Sequence, residues 1–343
     1  PMTNTLAPFA PAHLEAAAAL LAARQQSDRL QTPELPPRYE DAAVARSMLD
    51  DLLGSEGIEG VAAFRDDALV GYLLGAPVLG APTEPFAGFM HPRSMDIAAG
   101  GFAAAAGDRG RLHQRLYAAL AERWTARGFV AHYVTCPAAR EASEPWLDLG
   151  FARFIELGAR ETAPPQPLSG HARELEFRRA GPGDAAAIQE LATELFRSFA
   201  DPPVFVPFLA ETGPARRTYM AELLADPACP HWAAFDRGRL AAMQIFVEPT
   251  SPHWHLSSIE TPERWVYLYL ACTDPVHRGM GVGAALFAQA MAWARDAGYG
   301  RCAVHYLTAS RAAPFWRGLG FRPISHWLRR SIDERAVWAN GRA

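Results

Sequence analysis

Stretches of this chain recur at a nearly constant interval, and that limits the folds open to it. Trp232–Leu240 resembles Val61–Leu69 at an offset of 171 residues, and Pro314–Phe321 resembles Glu144–Phe151 at an offset of 170. Gly298, in the turn Asp296-Ala-Gly-Tyr-Gly300, falls opposite Gly128 at the same interval. Several matches at one interval mark a duplicated structural unit. The 343 residues have room for two domains of roughly 100–200 residues each. The expected organisation is a first copy at 1–160, a Pro-rich linker at 161–174 containing Ala163-Pro-Pro-Gln-Pro167, and a second copy at 175–343. The prolines give the linker stiffness.

Within each copy the hydrophobic pattern has the same order. An alanine-rich helix comes first, Leu14–Arg24 and Ala185–Phe196. A segment with paired prolines follows, Pro36-Pro37 and Pro202-Pro203. Two short apolar runs then flank a charged tip: Val61–Phe64 with Leu69–Leu74, and Trp232–Phe235 with Leu240–Val247. Such pairs predict hairpins. In the second copy the strand Trp265–Cys272 leads into a glycine-rich turn and a helix over Gly283–Ala297. A strand at Arg301–Leu307, a short helix near Pro314–Gly318 and a last strand at Arg322–Leu328 follow. Hairpins joined to a strand–helix–strand crossover predict an α/β fold, a mixed sheet with helices on both faces.

Composition narrows the function. Half the residues are hydrophobic and a fifth charged, enough to bury real cores. A formal charge of −4 leaves no basic surplus for nucleic acid or an anionic membrane. The longest apolar stretch, Ala16–Ala23, is far short of the ~20 residues that span a bilayer. Pro1–Pro11 carries no basic n-region or long apolar h-region, so no secretory signal is expected. All 33 basic residues are arginine, which excludes a Schiff-base lysine, a pyridoxal-phosphate anchor and a Walker lysine. Cys136, Cys229, Cys272 and Cys302 lack CxxC or zinc spacing. They read as reduced thiols of a cytoplasmic protein. His253-x-His255 beside His231 lacks a cysteine or carboxylate at matching spacing, so no metal is expected.

The most informative segment runs from Tyr267 to Gly283. A strand ends near Pro275, the chain turns through Arg278-Gly-Met-Gly-Val-Gly283, and a helix begins. Free backbone N–H groups and the positive end of a helix dipole make an anion site. Glycines let a phosphate approach the main chain, and Arg278 adds a charge-assisted bond. Gly279-x-Gly281-x-x-Ala284 also fits a dinucleotide fingerprint formally, but no acidic residue follows at the right strand end. A purely structural glycine turn is the bland alternative.

Here the chain resembles the GNAT (Gcn5-related N-acetyltransferase) superfamily, whose acyl-CoA motif is Gln/Arg-x-x-Gly-x-Gly/Ala. Arg278, Gly281 and Gly283 fill those places. The family's downstream aromatic-x-x-x-Gly-Phe pattern appears as Trp316-Arg-Gly-Leu-Gly-Phe321. The resemblance covers most of residues 175–330 and extends in weaker form to the first copy. It implies two tandem GNAT-like domains, each a mixed, largely antiparallel sheet flanked by helices. It also implies transfer of an acetyl group from acetyl-CoA to a primary amine of a small molecule, in a monomer or homodimer. The cofactor-binding residues it implies are Ala271, Cys272, Thr273, His277, Arg278, Gly279, Met280, Gly281, Val282, Gly283, Ala284, Ser310 and Trp316. In the first copy Arg111 and His113 stand where Gly281 and Gly283 stand, and Asp108 where Arg278 stands. CoA binding therefore does not transfer to that copy.

The reaction also needs a polarised thioester and a neutral amine. By resemblance, a backbone N–H within Leu270–Thr273 meets the developing oxyanion. Deprotonating an amine with a lysine-like pKa costs about 4 kcal/mol at pH 7. Strand alternation puts Trp265, Tyr267, Tyr269 and Ala271 on one face and Val266, Leu268, Leu270 and Cys272 on the other. Tyr267 and Tyr269 then line the amine site by resemblance, or simply pack the sheet. A phenol is a poor base near pH 7, so Glu260, Glu263 or His255, reached through water, is the expected proton acceptor. Trp316 replaces the family's tyrosine acid, and Tyr306 is the candidate substitute. A non-catalytic acyl-CoA-binding module, or transfer to another nucleophile or of another acyl group, is the alternative function.

Overall fold

A computed structural model describes residues 4–81, 83–107, 109–164, 167–168, 170–254 and 264–338. The first half runs β1 (Thr5–Pro8), α1 (Leu14–Gln31), α2 (Ala42–Leu53), β2 (Glu59–Arg65), β3 (Ala68–Leu79), β4 (Arg93–Ile97), β5 (Phe102–Ala104), α3 (Arg109–Ala126), β6 (Ala131–Pro137), α4 (Arg140–Asp148) and β7 (Ala152–Glu161). The second half repeats most of that order. It comprises β8 (Glu176–Arg179), α5 (Ala185–Ser198), α6 (Gly213–Ala225), β9 (His231–Asp236), β10 (Arg239–Val247), β11 (Trp265–Thr273), α7 (Val282–Asp296), β12 (Arg301–Leu307), α8 (Ala312–Gly318) and β13 (Arg322–Ser331). Among the described residues no helix is long and apolar enough to cross a membrane.

The compact units depart from chain order. The first comprises Pro1–Gly80, Met90–Glu156 and Ile324–Ala343, and the second Ala81–Phe89 and Leu157–Pro323. The repeat alone would place β7 beside β6. Instead β13 pairs antiparallel with β6, from Ser325↔Pro137 to Ser331↔Ala131. Side chains explain the choice. Leu328 enters the apolar cluster of Val134, Cys136 and Trp146, and Trp327 donates from Nε1 to Asp96 Oδ1 at 3.3 Å. In the second unit, β7 takes the matching place beside β12. The two final strands are close enough in pattern to exchange places.

The first unit has the strand order β1-β2-β3-β4-β6-β13, with β5 on β3. All its pairs are antiparallel except the parallel β4–β6. Leu112, Leu116, Leu120 and Trp124 recur at four-residue spacing on α3 and are buried against Val61, Leu73, Met95 and Val134, as a helix of period 3.6 requires. On the other face, Leu14, Ala17, Ala18 and Leu21 of α1 and Leu49 of α2 pack against Tyr72 and Leu74. The second unit is built likewise, with β8-β9-β10-β11 antiparallel and β11–β12 parallel. Phe287, Ala290, Met291 and Ala294 of α7 cover Val266, Leu268, Cys302 and Val304. Each unit is thus a mixed, largely antiparallel sheet flanked by helices.

Candidate functional site

Two backbone features open the sheet of the second unit. The β11–β12 ladder runs from Trp265↔Arg301 to Leu268↔Val304 and stops. Beyond it, Leu270–Thr273 keep β10 on one side, and the β12 ladder does not extend along their other side. Backbone groups left unpaired this way seek a ligand or water. The second feature is a bulge. Leu268 pairs with Phe246 and Leu270 with Ile245, so Tyr269 is the extra residue. One inserted residue reverses the alternation after it. This corrects the two-face expectation: Ala271, not Leu270 or Cys272, joins Val266 and Leu268 in the cluster under α7.

The turn into α7 is shaped by glycine. Gly279 and Gly281 have φ of +75° and +80°, and a Cβ at either would meet no atom within 4 Å. The space around them is open, so left-handed backbone is what requires glycine there. Gly281 is the N-cap of α7, whose ladder starts with Ala285 N donating to Gly281 O at 3.0 Å. The N–H groups of Val282, Gly283 and Ala284 precede that ladder. A Cβ on Gly283 would stand 3.0 Å from Thr273 Oγ1, so glycine lets the helix start abut β11. Buried Gln244 fixes this junction, donating from Nε2 to Gly283 O at 3.0 Å. Arg278 donates from Nε to Thr273 O at 3.1 Å, which holds its exposed guanidinium beside the turn. Open glycines, unladdered N–H groups and an adjacent guanidinium fit a diphosphate.

Other expected cofactor residues are placed differently. Met280 is exposed, whereas Val282 is buried in the core. Cys272 is buried, with its thiol pushed up to about 11 by that burial. Ser310 spends its hydroxyl proton on Leu307 O at 2.7 Å. Trp316 is a core residue, in edge contact with Phe287 and Phe321. His277 is engaged by neighbouring side chains: its Nε2 lies 3.3 Å from Asp236 Oδ2, its Nδ1 3.7 Å from Asp274 Oδ1, and its ring stacks on His171. Among the described residues, His171, Asp236 and His277 bring three possible metal-ligand atoms within 4.8 Å of one another. His231 is instead buried at the start of β9, and His253 packs edge-on against Tyr219.

An aromatic cluster gathers at the bulge. The rings of Tyr267 and Tyr269 are 5.7 Å apart. Tyr219 of α6 lies 6.0 Å from Tyr269 and is hydrogen-bonded to it. Phe86, contributed by the Ala81–Phe89 segment, lies 5.2 Å from Tyr219 and 6.3 Å from Tyr269. Burial drives both strand phenols well above the ordinary tyrosine range, so they act as protonated hydroxyls. Tyr267 Oη lies 2.9 Å from Nδ1 of His305, an exposed residue of β12. Tyr306 points the other way, into the apolar cluster of Val304, Trp316 and Phe321. Strand alternation therefore removes it from Tyr267 and puts His305 there. Glu260, Glu263 and His255 lie outside the described residues.

The sequence reading missed Tyr219, Phe86 and His305. Period 2 on β12 was enough to pair His305 with the face of Ala303, but the register Tyr267↔Ala303 was needed to bring it to Tyr267. In the first unit the equivalent helix start is filled. His113 is buried between the rings of Phe102 and Trp146, both 5.5 Å away. Asp108 lies outside the described residues.

Comparison with known proteins follows this geometry. Residues 187–321 match the family model described as acetyltransferase (GNAT) family. No curated protein matches the chain. Among solved structures, a GCN5-related N-acetyltransferase from Sphaerobacter thermophilus is 18% identical, with a TM-score of 0.54 and 96% of each chain covered. A GCN5-related glucosamine N-acetyltransferase region of a fungal multi-domain GH3 beta-N-acetylglucosaminidase is 14% identical, with a TM-score of 0.58. That match covers 96% of this chain and 38% of the fungal one. At these identities the likeness is one of fold.

Proposed function

Since residues 187–321 form a domain of the acetyltransferase (GNAT) family, we propose that this protein transfers an acetyl group from acetyl-CoA to the primary amine of a small molecule by direct attack. The observation that carries this reading is the open glycine turn at Gly279–Gly283 beside the unpaired edge of β11. Arg278 and the N–H groups at the start of α7 would hold the diphosphate. The free edge of Ala271–Thr273 would take the pantetheine arm, and a strand N–H there would face the thioester carbonyl. Bound acetyl-CoA supplies an activated acyl carbon and a good leaving group.

The chain's own task is to neutralise the amine. The buried aromatic wall of Tyr219, Tyr267 and Tyr269 disfavours an ammonium by desolvation. The phenols stay protonated, so Tyr267 relays a proton instead of keeping it. It gives its own hydroxyl proton to His305 Nδ1 as it receives one from the amine, directly or through water. His305 is exposed and returns the proton to solvent. As the amine nitrogen bonds to the acyl carbon, the carbon–sulfur bond breaks, and the nitrogen's extra proton passes to the departing thiolate to give neutral amide and free thiol. A thiol pKa of about 8.5 makes a dedicated acid dispensable, which accords with a buried tryptophan at position 316.

Release of free thiol from acetyl-CoA, measured over a panel of small amines, tests the proposal. Amine-dependent release supports it. Saturable CoA binding without turnover of any amine would leave a non-catalytic acyl-CoA-binding module. Release with a different acyl-CoA but not with acetyl-CoA would revise the donor alone.

A further inference from the structure

A cavity of about 240 Å³ lies between α5 and α6, within the second unit. Its lining includes Gln189, Thr193 and Arg197 of α5 and Arg216 and Arg217 of α6, with Phe208 between them. The three α5 residues are four apart, so one helical face lines the cavity. No Asp or Glu lines it. Arg197 has one acidic neighbour, Glu194, at 3.5 Å. Among the described residues, no carboxylate pairs with Arg216 or Arg217. The Arg216 guanidinium lies over the Phe208 ring at 4.4 Å and over Phe196 at 5.6 Å. Among the described residues its one hydrogen bond is a long one, 3.4 Å to Leu209 O.

A guanidinium drawn out of water without a counter-charge is costly. Burial already lowers the pKa of Arg216, which registers that cost. An anion in the cavity would relieve it. The guanidinium's planar fork can make two parallel bonds to an acidic group, and its contact with the Phe208 ring limits the positions it takes. The cavity is smaller than a drug-sized site, so it suits a small head group. Two aromatic rings separate it from the bulge: Phe196 lines it and lies 5.8 Å from Phe86, which touches both Tyr219 and Tyr269.

We propose that this cavity binds the acidic group, carboxylate or phosphate, of an amine acceptor whose other end reaches Tyr269. This rests on the acetyltransferase reading for the acceptor's role, but not for the anion site itself. Two measurements separate them. The first is calorimetry with succinate and with inorganic phosphate, on wild type, Arg216→Gln and Arg217→Gln. Binding by wild type that weakens about tenfold or more in either variant supports the anion site whatever the catalytic outcome. The anion that binds more tightly identifies the head group. Arg217 is exposed, so its variant remains informative should Arg216→Gln not fold. The second is acetyl transfer to 8-aminooctanoate and 8-aminooctyl phosphate against octylamine and 8-aminooctanol, whose chains are long enough to pass two aromatic rings. The acidic amines are expected to have at least about tenfold higher kcat/KM, an advantage lost in the arginine variants. Absence of binding by both anions overturns the site. Equal use of acidic and neutral amines overturns its role in acceptor choice, and no turnover of any amine beside intact anion binding refutes only the catalytic reading.

Discussion

Replacing Gly281 by alanine separates the two demands made on that residue. Its φ of +80° is a conformation in which a side chain is strained, yet a Cβ there would touch nothing within 4 Å. The unliganded protein should therefore lose only the left-handed penalty, about 1–2 kcal/mol. For a unit of this size that lowers Tm by about 2–8 °C. Gly238, at the β9–β10 turn, has the same φ of +80° and equally open surroundings. Gly238→Ala is thus a matched control for strain. CoA at a hundred times its Kd should stabilise the wild type by about 2.7 kcal/mol. Gly238→Ala should keep that increment in full. Gly281→Ala should lose most of it, because its new methyl stands where the diphosphate must approach. Scanning calorimetry of the three proteins with and without CoA reads both effects. An undiminished CoA increment in Gly281→Ala would refute the assignment of this turn to the cofactor.

Three further outcomes follow from particular residues. His113, His132 and His231 are buried and held to about 4, below the ordinary histidine value, chiefly by desolvation. The unfolded chain therefore binds more protons below pH 6.5, and the stability present above that pH is lost as it falls toward 4, by about 2 kcal/mol per histidine at pH 5. Acid unfolding followed by unit-specific hydrogen exchange should show the loss in both units, partly offset in the first by Asp96, which burial raises to about 6; stability unchanged between pH 7 and 5 would refute the desolvation of these histidines. Tyr267→Phe removes the 2.9 Å link to His305 and should lower kcat about a hundredfold with little change in KM for acetyl-CoA; an unchanged kcat would remove Tyr267 from the proton path. A Cβ on Gly88 would stand 2.2 Å from Pro207 O, so Gly88→Ala should destabilise the second unit by about 1–3 kcal/mol and raise KM for the amine as Phe86 shifts, both visible in a melting curve and a substrate titration.

Much of the architecture was legible in local pattern. The repeat interval, the hairpin tips and the glycine turn each depend on residues near one another in sequence, and backbone physics there leaves little choice. Arg278, Gly279 and Gly281 adopt the turn their types require. Alternation along β11 failed at Tyr269, because a bulge is set by the partner strand and leaves no mark in the strand's own pattern. Tyr306 was misplaced for a related reason: which of two adjacent β12 residues meets Tyr267 depends on inter-strand register.

The sequence by itself determined that the chain carries a duplicated α/β unit and that glycines build the turn at 279–283, whereas Arg111 and His113 stand opposite Gly281 and Gly283 in the first copy. Steric and dihedral limits act over a few residues and can be read there. Tertiary structure alone decided that β13 pairs with β6, that Phe86 joins Tyr219 and Tyr269, and that three arginines line one cavity between α5 and α6. Those outcomes depend on which of several similar surfaces buries best against which. That is a competition between segments up to about two hundred residues apart, and no local pattern encodes its winner.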